Sequence, residues 1–299
     1  MTIKGENGET KMDPVQTKWQ VAKKGQQGGC LTPRPRAGHR IVSMRGLILL
    51  FGGGDSGMVD DLLVYSTENG NWFQPSTNGQ VPSGVAAFGM AADGTRIIIH
   101  GGMQEYGRLT NSMYELQASK WEWKKLEQKC AKGLKQPPTS RMCHSFSTLG
   151  GSNGIQAIDK IVLFGGVRNH AEHPEKQFKP EYLGDVFYLE LLSSSGVGAW
   201  TKPDVTGTGP SPRESHSAVV YKPEGRAHMV VVYGGKDRHR RLADLFTLDT
   251  GTNTWTELKP LGLAPPPRSL HTAQLISKDR MVVIGGLVPR DAEREKMVK

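Results

Sequence analysis

Five times along this chain a run of β-branched or large apolar residues ends in Gly-Gly, and no other feature restricts the fold as much. The runs occupy 47–53, 97–102, 161–166, 230–235 and 281–286, with the pairs at Gly52/Gly53, Gly101/Gly102, Gly165/Gly166, Gly234/Gly235 and Gly285/Gly286. Their first glycines lie 49, 64, 69 and 51 residues apart. A recurrence of this length marks a repeated supersecondary unit, because one small sheet cannot bury its own faces and must stack on copies of itself.

Other landmarks keep phase with the glycines. An Arg-x-x-His element precedes four of the five pairs, as Arg36/His39, Arg141/His144, Arg213/His216 and Arg268/His271; Gly84 and Ala87 take these places in the second unit. After the glycines, a small or acidic residue opens an apolar-aromatic segment at Asp61-Leu62, Ser112-Met113, Asp185-Val186 and Asp244-Leu245. Trp72, Trp123 and Trp255 follow that residue by eleven positions, and Trp200 by fifteen. Each unit therefore reads as four short strands. The strand after Arg-x-x-His and the apolar run form the inner pair, buried on both faces. The Trp lies on the outer strand, where its ring covers a neighbouring sheet. Glycine pairs fit a sharp turn close to other backbones, since glycine accepts positive φ and has no side chain to clash. Such units stack radially into an all-β propeller.

Four units are complete. The fifth has only its inner hairpin, because the next Asp-Leu element would fall near 295 and its Trp near 306, past Lys299. Trp19 precedes Arg36 by seventeen residues and reads as the closing outer strand of a last blade. The expected division is a disordered tail over 1–18, an incomplete propeller over 19–288 and a charged tail over 289–299.

Composition excludes several alternatives. Glycine is abundant, 37 of 299 residues, but has no Gly-X-Y period, so the chain is not collagenous. The apolar runs are shorter than ten residues, too short for a membrane span, and 1–20 holds no hydrophobic segment of a signal peptide. Cys30, Cys130 and Cys143 have no C-x-x-C spacing and read as reduced thiols. The expectation is a soluble, intracellular protein. Of the net charge of +9, +4 lies in 124–135 and +3 in 236–241. Short basic runs in loops, without a recognition helix or stacking platform, argue against sequence-specific DNA binding.

The spacing near fifty is that of kelch repeats, and longer stretches are more particular. Asp93-Gly94-Thr95-Arg96 before His100-Gly101-Gly102-Met103, then Glu105-Tyr106-Gly107 and the segment 114–124, resemble the N-terminal kelch domain of the host cell factor family. Ser195-Gly196-Val197 to Trp200, Pro212-Arg213-Glu214-Ser215-His216 and Arg268-Ser269-Leu270-His271 extend that resemblance, which runs from about Trp19 to Pro289. It implies a six-bladed ring when complete, no catalytic residues and no cofactor. It also implies a nuclear module, with the cytoplasm open as well, that docks acidic-His-x-Tyr peptides of transcription factors and tethers histone-modifying complexes. A kelch substrate adaptor or other cytoplasmic kelch scaffold is the alternative. A copper-oxidase reading fails because the three cysteines sit in no ligand arrangement.

For ligand contact the candidates are Arg36, Arg141, Arg213 and Arg268. Each opens an innermost strand near the central mouth, where convergent guanidiniums suit carboxylates; a structural role, bonding carbonyls of the adjacent blade, is as consistent with their phase. Tyr106, Arg108, Arg168 and Arg238 lie in loops after the glycine pairs and are candidate rim contacts. His39, His144, His216 and His271 fall three residues after the arginines and are expected to pack between blades with a hydrogen-bonded ring, not to hold metal. The pair His170 and His173 reads as part of a solvated loop.

Overall fold

The computed structural model describes residues 31–150, 160–172, 177–192, 196–261, 263–277 and 280–289, with two short paired strands, Ile3–Lys4 and Thr10–Lys11. Trp19, Cys30, His173 and nearly all of the tail 289–299 lie outside the described residues.

Each repeat folds into one antiparallel sheet, built outward in sequence order. Blade 1 comprises Arg40–Met44, Leu47–Phe51, Leu62–Ser66 and Trp72–Phe73. Blade 2 runs from Gly89–Asp93 and Arg96–His100 to Met113–Gln117 and Glu122–Leu126. Blade 3 is built of Ser145–Leu149, Lys160–Phe164, Val186–Leu191 and Val197–Thr201. Blade 4 is built of Ser217–Tyr221, Met229–Tyr233, Leu245–Asp249 and Thr254–Leu258. The fifth unit is the hairpin Thr272–Ser277 and Arg280–Ile284. The β-branched runs before each glycine pair form the second strands, and in blade 2 all five residues from Arg96 to His100 are buried, as expected for a strand covered on both faces.

Burial comes from blade against blade. Between blades 1 and 2 the core joins Leu49, Phe51 and Val64 to Phe88, Ile97, Ile99 and Trp123. The outer-strand tryptophans reach the residue just before the first glycine of the preceding blade: Trp123 to Phe51, Trp200 to His100 and Trp255 to Phe164, with centroids 5.0, 5.3 and 5.2 Å apart. Covering the neighbouring sheet is thus their task, whereas Trp72 is half-buried against Tyr65 of its own blade.

The glycine pairs of the first four units have a shared explanation. A Cβ on the first glycine would collide with the next blade. At Gly165 it would lie 2.8 Å from the Arg213 carbonyl and 3.0 Å from the His216 ring; at Gly234 the corresponding distances, to Arg268 and His271, are 2.8 and 3.1 Å. A Cβ on the second glycine would strike the innermost strand of its own blade, 3.0 Å from His144 at Gly166 and 2.9 Å from His216 at Gly235. All ten glycines of the five pairs also have positive φ.

At the fifth pair the expectation of a turn closed in by other backbones needs correction. Gly285 and Gly286 are both exposed, because no following blade is packed against them among the described residues. A Cβ at Gly285 would meet nothing within 4 Å, unlike its four counterparts. Gly286 keeps only the constraint from its own hairpin, where a Cβ would lie 2.7 Å from the Ser269 carbonyl and 2.8 Å from the His271 Cβ. Gly286 is therefore a structural glycine of the turn, not a buried one between blades.

A chain of backbone hydrogen bonds crosses the innermost strands at the residue before each histidine. Ala87 donates to Gly38, Cys143 to Ala87, Ser215 to Cys143 and Leu270 to Ser215, at 2.7, 2.8, 3.0 and 3.0 Å. All five residues have φ between 54 and 73°. This register corrects the alignment of the second unit: Ala87 matches Cys143, so Val85 and Phe88, not Gly84 and Ala87, stand where other units carry Arg and His. The Gly53 amide agrees, donating to Val85 as that of Gly102 donates to Arg141.

Two further features differ from the four-strand reading. Blades 2, 3 and 4 gain a fifth, parallel outer strand from the preceding connection: Asn78–Gly79, Lys129–Cys130 and Thr206–Gly207. Gly79 and Gly207 sit there because a Cβ would meet the carbonyls of Trp123 and Trp255 at 2.2 Å. The propeller is also incomplete, and Ile276 and Ile284 of the last hairpin are exposed beside the open glycine pair.

Candidate interaction surface

The repeated arginines act as clamps inside their own blades. Arg213 donates from Nη1 to the Gly234 carbonyl at 3.0 Å, pairs through both Nη atoms with the Asp244 carboxylate, and donates from Nε to the Ser211 carbonyl at 2.9 Å. Arg141 repeats this with Gly165, Asp185 and Thr139, and Arg36 with Gly52, Asp61 and Arg34. Arg141 and Arg213 are fully buried, and only 3% of the Arg36 side chain is exposed. Each guanidinium thus ties the start of the innermost strand to the start of the third strand. It bonds within its own blade, whereas the arginine backbone carbonyl of blades 3, 4 and 5 bonds the preceding one. Arg268 is the exception. It reaches the carbonyls of Gly285 and Pro266 through bonds open to solvent, is half-buried, and has no carboxylate partner among the described residues.

The clamp aspartates were visible in the sequence as landmarks but not as partners. The signal was joint occurrence: the unit with no arginine, the second, has Ser112 in place of the aspartate.

His144, His216 and His271 pack between blades. His216 Nε2 lies 3.0 Å from Ser145 Oγ, and His271 Nε2 lies 2.9 Å from Ser217 Oγ. His144 meets Gly89 at the matching place, so neither of its ring nitrogens has a partner among the described residues, nor do those of His100, whose centroid is 5.4 Å away. Burial pushes the pKa values of His100 and His216 down to about 3 and that of His271 to about 4; His144 is held well below the ordinary value by burial first, then by the charges around it. Among the described residues no cluster of three or more metal-ligating side chains forms.

The loops after the glycine pairs all leave second strands, so they gather along one edge of the propeller. In blade 2, Tyr106 projects from the turn Glu105–Gly107, 93% exposed and with φ at 58°, next to exposed Arg108. Glu105 anchors this loop by accepting the Met58 amide of the blade 1 loop. In blade 4, Asp237 accepts the amides of His239 and Arg240 at 2.8 Å, which shapes a turn with Arg238, His239 and Arg240 exposed. Arg168 lies on the added hairpin Val167–Asn169 with Pro180–Tyr182 and pairs through two bonds of 2.9 Å with Glu181, which also contacts His170. The structure therefore separates the eight candidates. Arg36, Arg141 and Arg213 belong to the blade interior, Arg168 has an acidic partner, and Tyr106, Arg108 and Arg238 are open, with Arg268 half-buried at the last hairpin.

Comparison with known proteins adds the ancestry of this arrangement. Residues 16–299 match the profile described as host cell factor, kelch-repeats domain. The chain is similar to human host cell factor 1, 48% identical over 258 residues, covering 86% of this chain and 12% of that protein. It is 45% identical to human host cell factor 2 and 41% to host cell factor of Drosophila melanogaster, covering 32% and 16% of them. The chain thus spans at most about a third of the length of these relatives.

Proposed function

Because this chain belongs to the host cell factor family of kelch-repeat domains, a non-catalytic family, we propose that it is the interaction module of a nuclear transcriptional co-regulator. It docks short acidic-His-x-Tyr peptides of transcription factors and links them to histone-modifying complexes. The supporting observation is the loop edge, where Tyr106 and Arg108 of blade 2 and Arg238 and Arg240 of blade 4 stand exposed. Guanidiniums recognise carboxylates through paired donors, and an exposed tyrosine adds a rigid contact with a polar tip. The clamp arginines are not part of this surface, since their donors are already committed to aspartates. Calorimetry with the full chain tests the reading. An acidic-His-x-Tyr peptide binds more tightly than its Tyr→Ala version, and Arg108→Glu with Arg238→Glu weakens binding severalfold without lowering the melting temperature. Equal affinity for the two peptides refutes the peptide specificity.

A further inference from the structure

At the first position of the innermost strand, units two to five carry the short residues Gly89, Ser145, Ser217 and Thr272, and the first unit carries Arg40. Ser145 and Ser217 meet the histidine of the next blade through their hydroxyls. Blade 2 has Phe88 where that histidine would stand, and Arg40 instead donates from Nε to the Phe88 carbonyl at 2.8 Å. The rest of the guanidinium extends toward the propeller axis, since its charge acts on Cys143 and His144 of blade 3 and on His216 of blade 4. The hydrogen-bonded backbone ring beside it is made of the equally short Gly38, Ala87, Cys143 and Ser215, and part of the arginine surface stays open to solvent. Arg40 pairs with Phe51 at the end of the second strand, which places it at the edge that carries the loops after the glycine pairs.

An enclosed guanidinium without a counter-charge is costly, and elsewhere this fold supplies one. Arg36, Arg96, Arg141 and Arg213 each bond a carboxylate. Among the described residues Arg40 has none: only its Nε is bonded, and Nη1 and Nη2 lack an acceptor. The acidic group that acts on it is the Cys143 thiol. Burial, followed by the Glu214 charge, pushes that thiol up, so at neutral pH it is uncharged and balances nothing. Glu214 is itself committed to the Cys143 thiol and faces the Lys236 charge.

We propose that Arg40 is the centre of a carboxylate-binding site at the axis of the propeller. Its two free Nη groups form a planar fork, which a carboxylate fills with two parallel bonds; one positive charge does not balance a phosphate dianion, and a halide has no second atom for the other donor. The guest enters from the loop edge, as the acidic side chain of a docked peptide or as a free small acid. The first source rests on the docking function proposed above and the second does not.

The test is an NMR titration of the full chain with acetate, with acetamide as the neutral isostere and with chloride at matched ionic strength. Acetate alone is expected to give saturable shifts at the Arg40 Nε–H and the amides around it. Arg40→Ser places in blade 1 the residue that blades 3 and 4 carry; it should keep the melting temperature and lose the shifts. Absence of saturable shifts, equal shifts with acetamide or chloride, or shifts at the surrounding amides that survive in Arg40→Ser would overturn the proposal. Should Arg40→Ser not fold, Arg40→Lys decides, since it keeps the charge without the fork: acetate binding weakened severalfold supports the site, and unchanged affinity overturns it. The source is read separately, by comparing an acidic-His-x-Tyr peptide with its Gln-His-x-Tyr version. A preference for the acidic peptide that disappears in Arg40→Ser assigns the guest to the peptide, whereas acetate binding without that loss assigns the site to a free acid.

Discussion

Arg213 and Asp244 form a forked pair inside blade 4 in which the guanidinium is fully buried and the carboxylate partly open. Arg268 holds the same place in the next unit, in contact with solvent and with no carboxylate partner among the described residues. Removing one partner of a buried pair strands the other, which costs about 3–5 kcal/mol. Arg213→Ala is expected to destabilise the chain by about 3 kcal/mol, and Arg268→Ala by less than about 1 kcal/mol. Urea unfolding of the two variants checks this, and equal losses would show that the clamp carries no special weight.

Gly165 and Gly225 share a φ of 67 and 68°, but only the first faces another blade. Gly225→Ala therefore reports the backbone cost alone, about 1 kcal/mol. Gly165→Ala adds a collision with the Arg213 carbonyl and the His216 ring, and should exceed it by at least about 2 kcal/mol. Melting temperatures of the pair separate the two contributions.

Four buried histidines, His100, His144, His216 and His271, stay neutral in the folded chain because burial depresses their pKa values. The unfolded chain protonates them below about 6.5, so stability is present at neutral pH and is lost as pH falls from there toward the folded values. At pH 5.5 each fully buried ring costs about 1.4 kcal/mol. His144→Phe should fold and flatten this dependence, since Phe88 occupies the same place in blade 2. Urea midpoints at pH 7.5 and 5.5 for the two proteins supply the readout, and an unchanged slope would contradict the account.

The last hairpin exposes Ile276 and Ile284, and blade 1 exposes Ile41. Apolar sheet faces of this kind associate in water. Sedimentation of the chain should show oligomers, and Ile276→Lys with Ile284→Lys should raise the monomer fraction. A monodisperse unsubstituted monomer would show that these faces are covered in another way.

Much of the architecture was legible because it is periodic. Gly-Gly, Arg-x-x-His and Trp recur in constant order, and a residue type that returns at one blade position answers one local constraint, so strand order, blade number and the outer place of Trp123, Trp200 and Trp255 follow from spacing. The second unit falls one residue out of register in the sequence because neither Gly84 nor Val85 resembles an arginine, and the Ala87 amide on Gly38, with the Gly53 amide on Val85, shows which of them is aligned. The parallel strands at Asn78–Gly79 and Thr206–Gly207 carry two residues each, too few to give a period. Gly285 and Gly286 look like every other pair in sequence, and their exposure follows only from what is packed, or not packed, beside them.

By itself the sequence determined that this chain repeats a four-stranded unit and that the units must stack, because apolar runs with a fixed period can be buried only against copies of themselves. What each repeated polar residue does was decided by the tertiary structure alone. Arg36 and Asp61 are twenty-five positions apart, and Gly165 owes its missing side chain to His216 of another blade. Spacing records that such residues keep phase, but whether a guanidinium faces solvent or a carboxylate depends on distances in space that the order of residues along a chain does not contain.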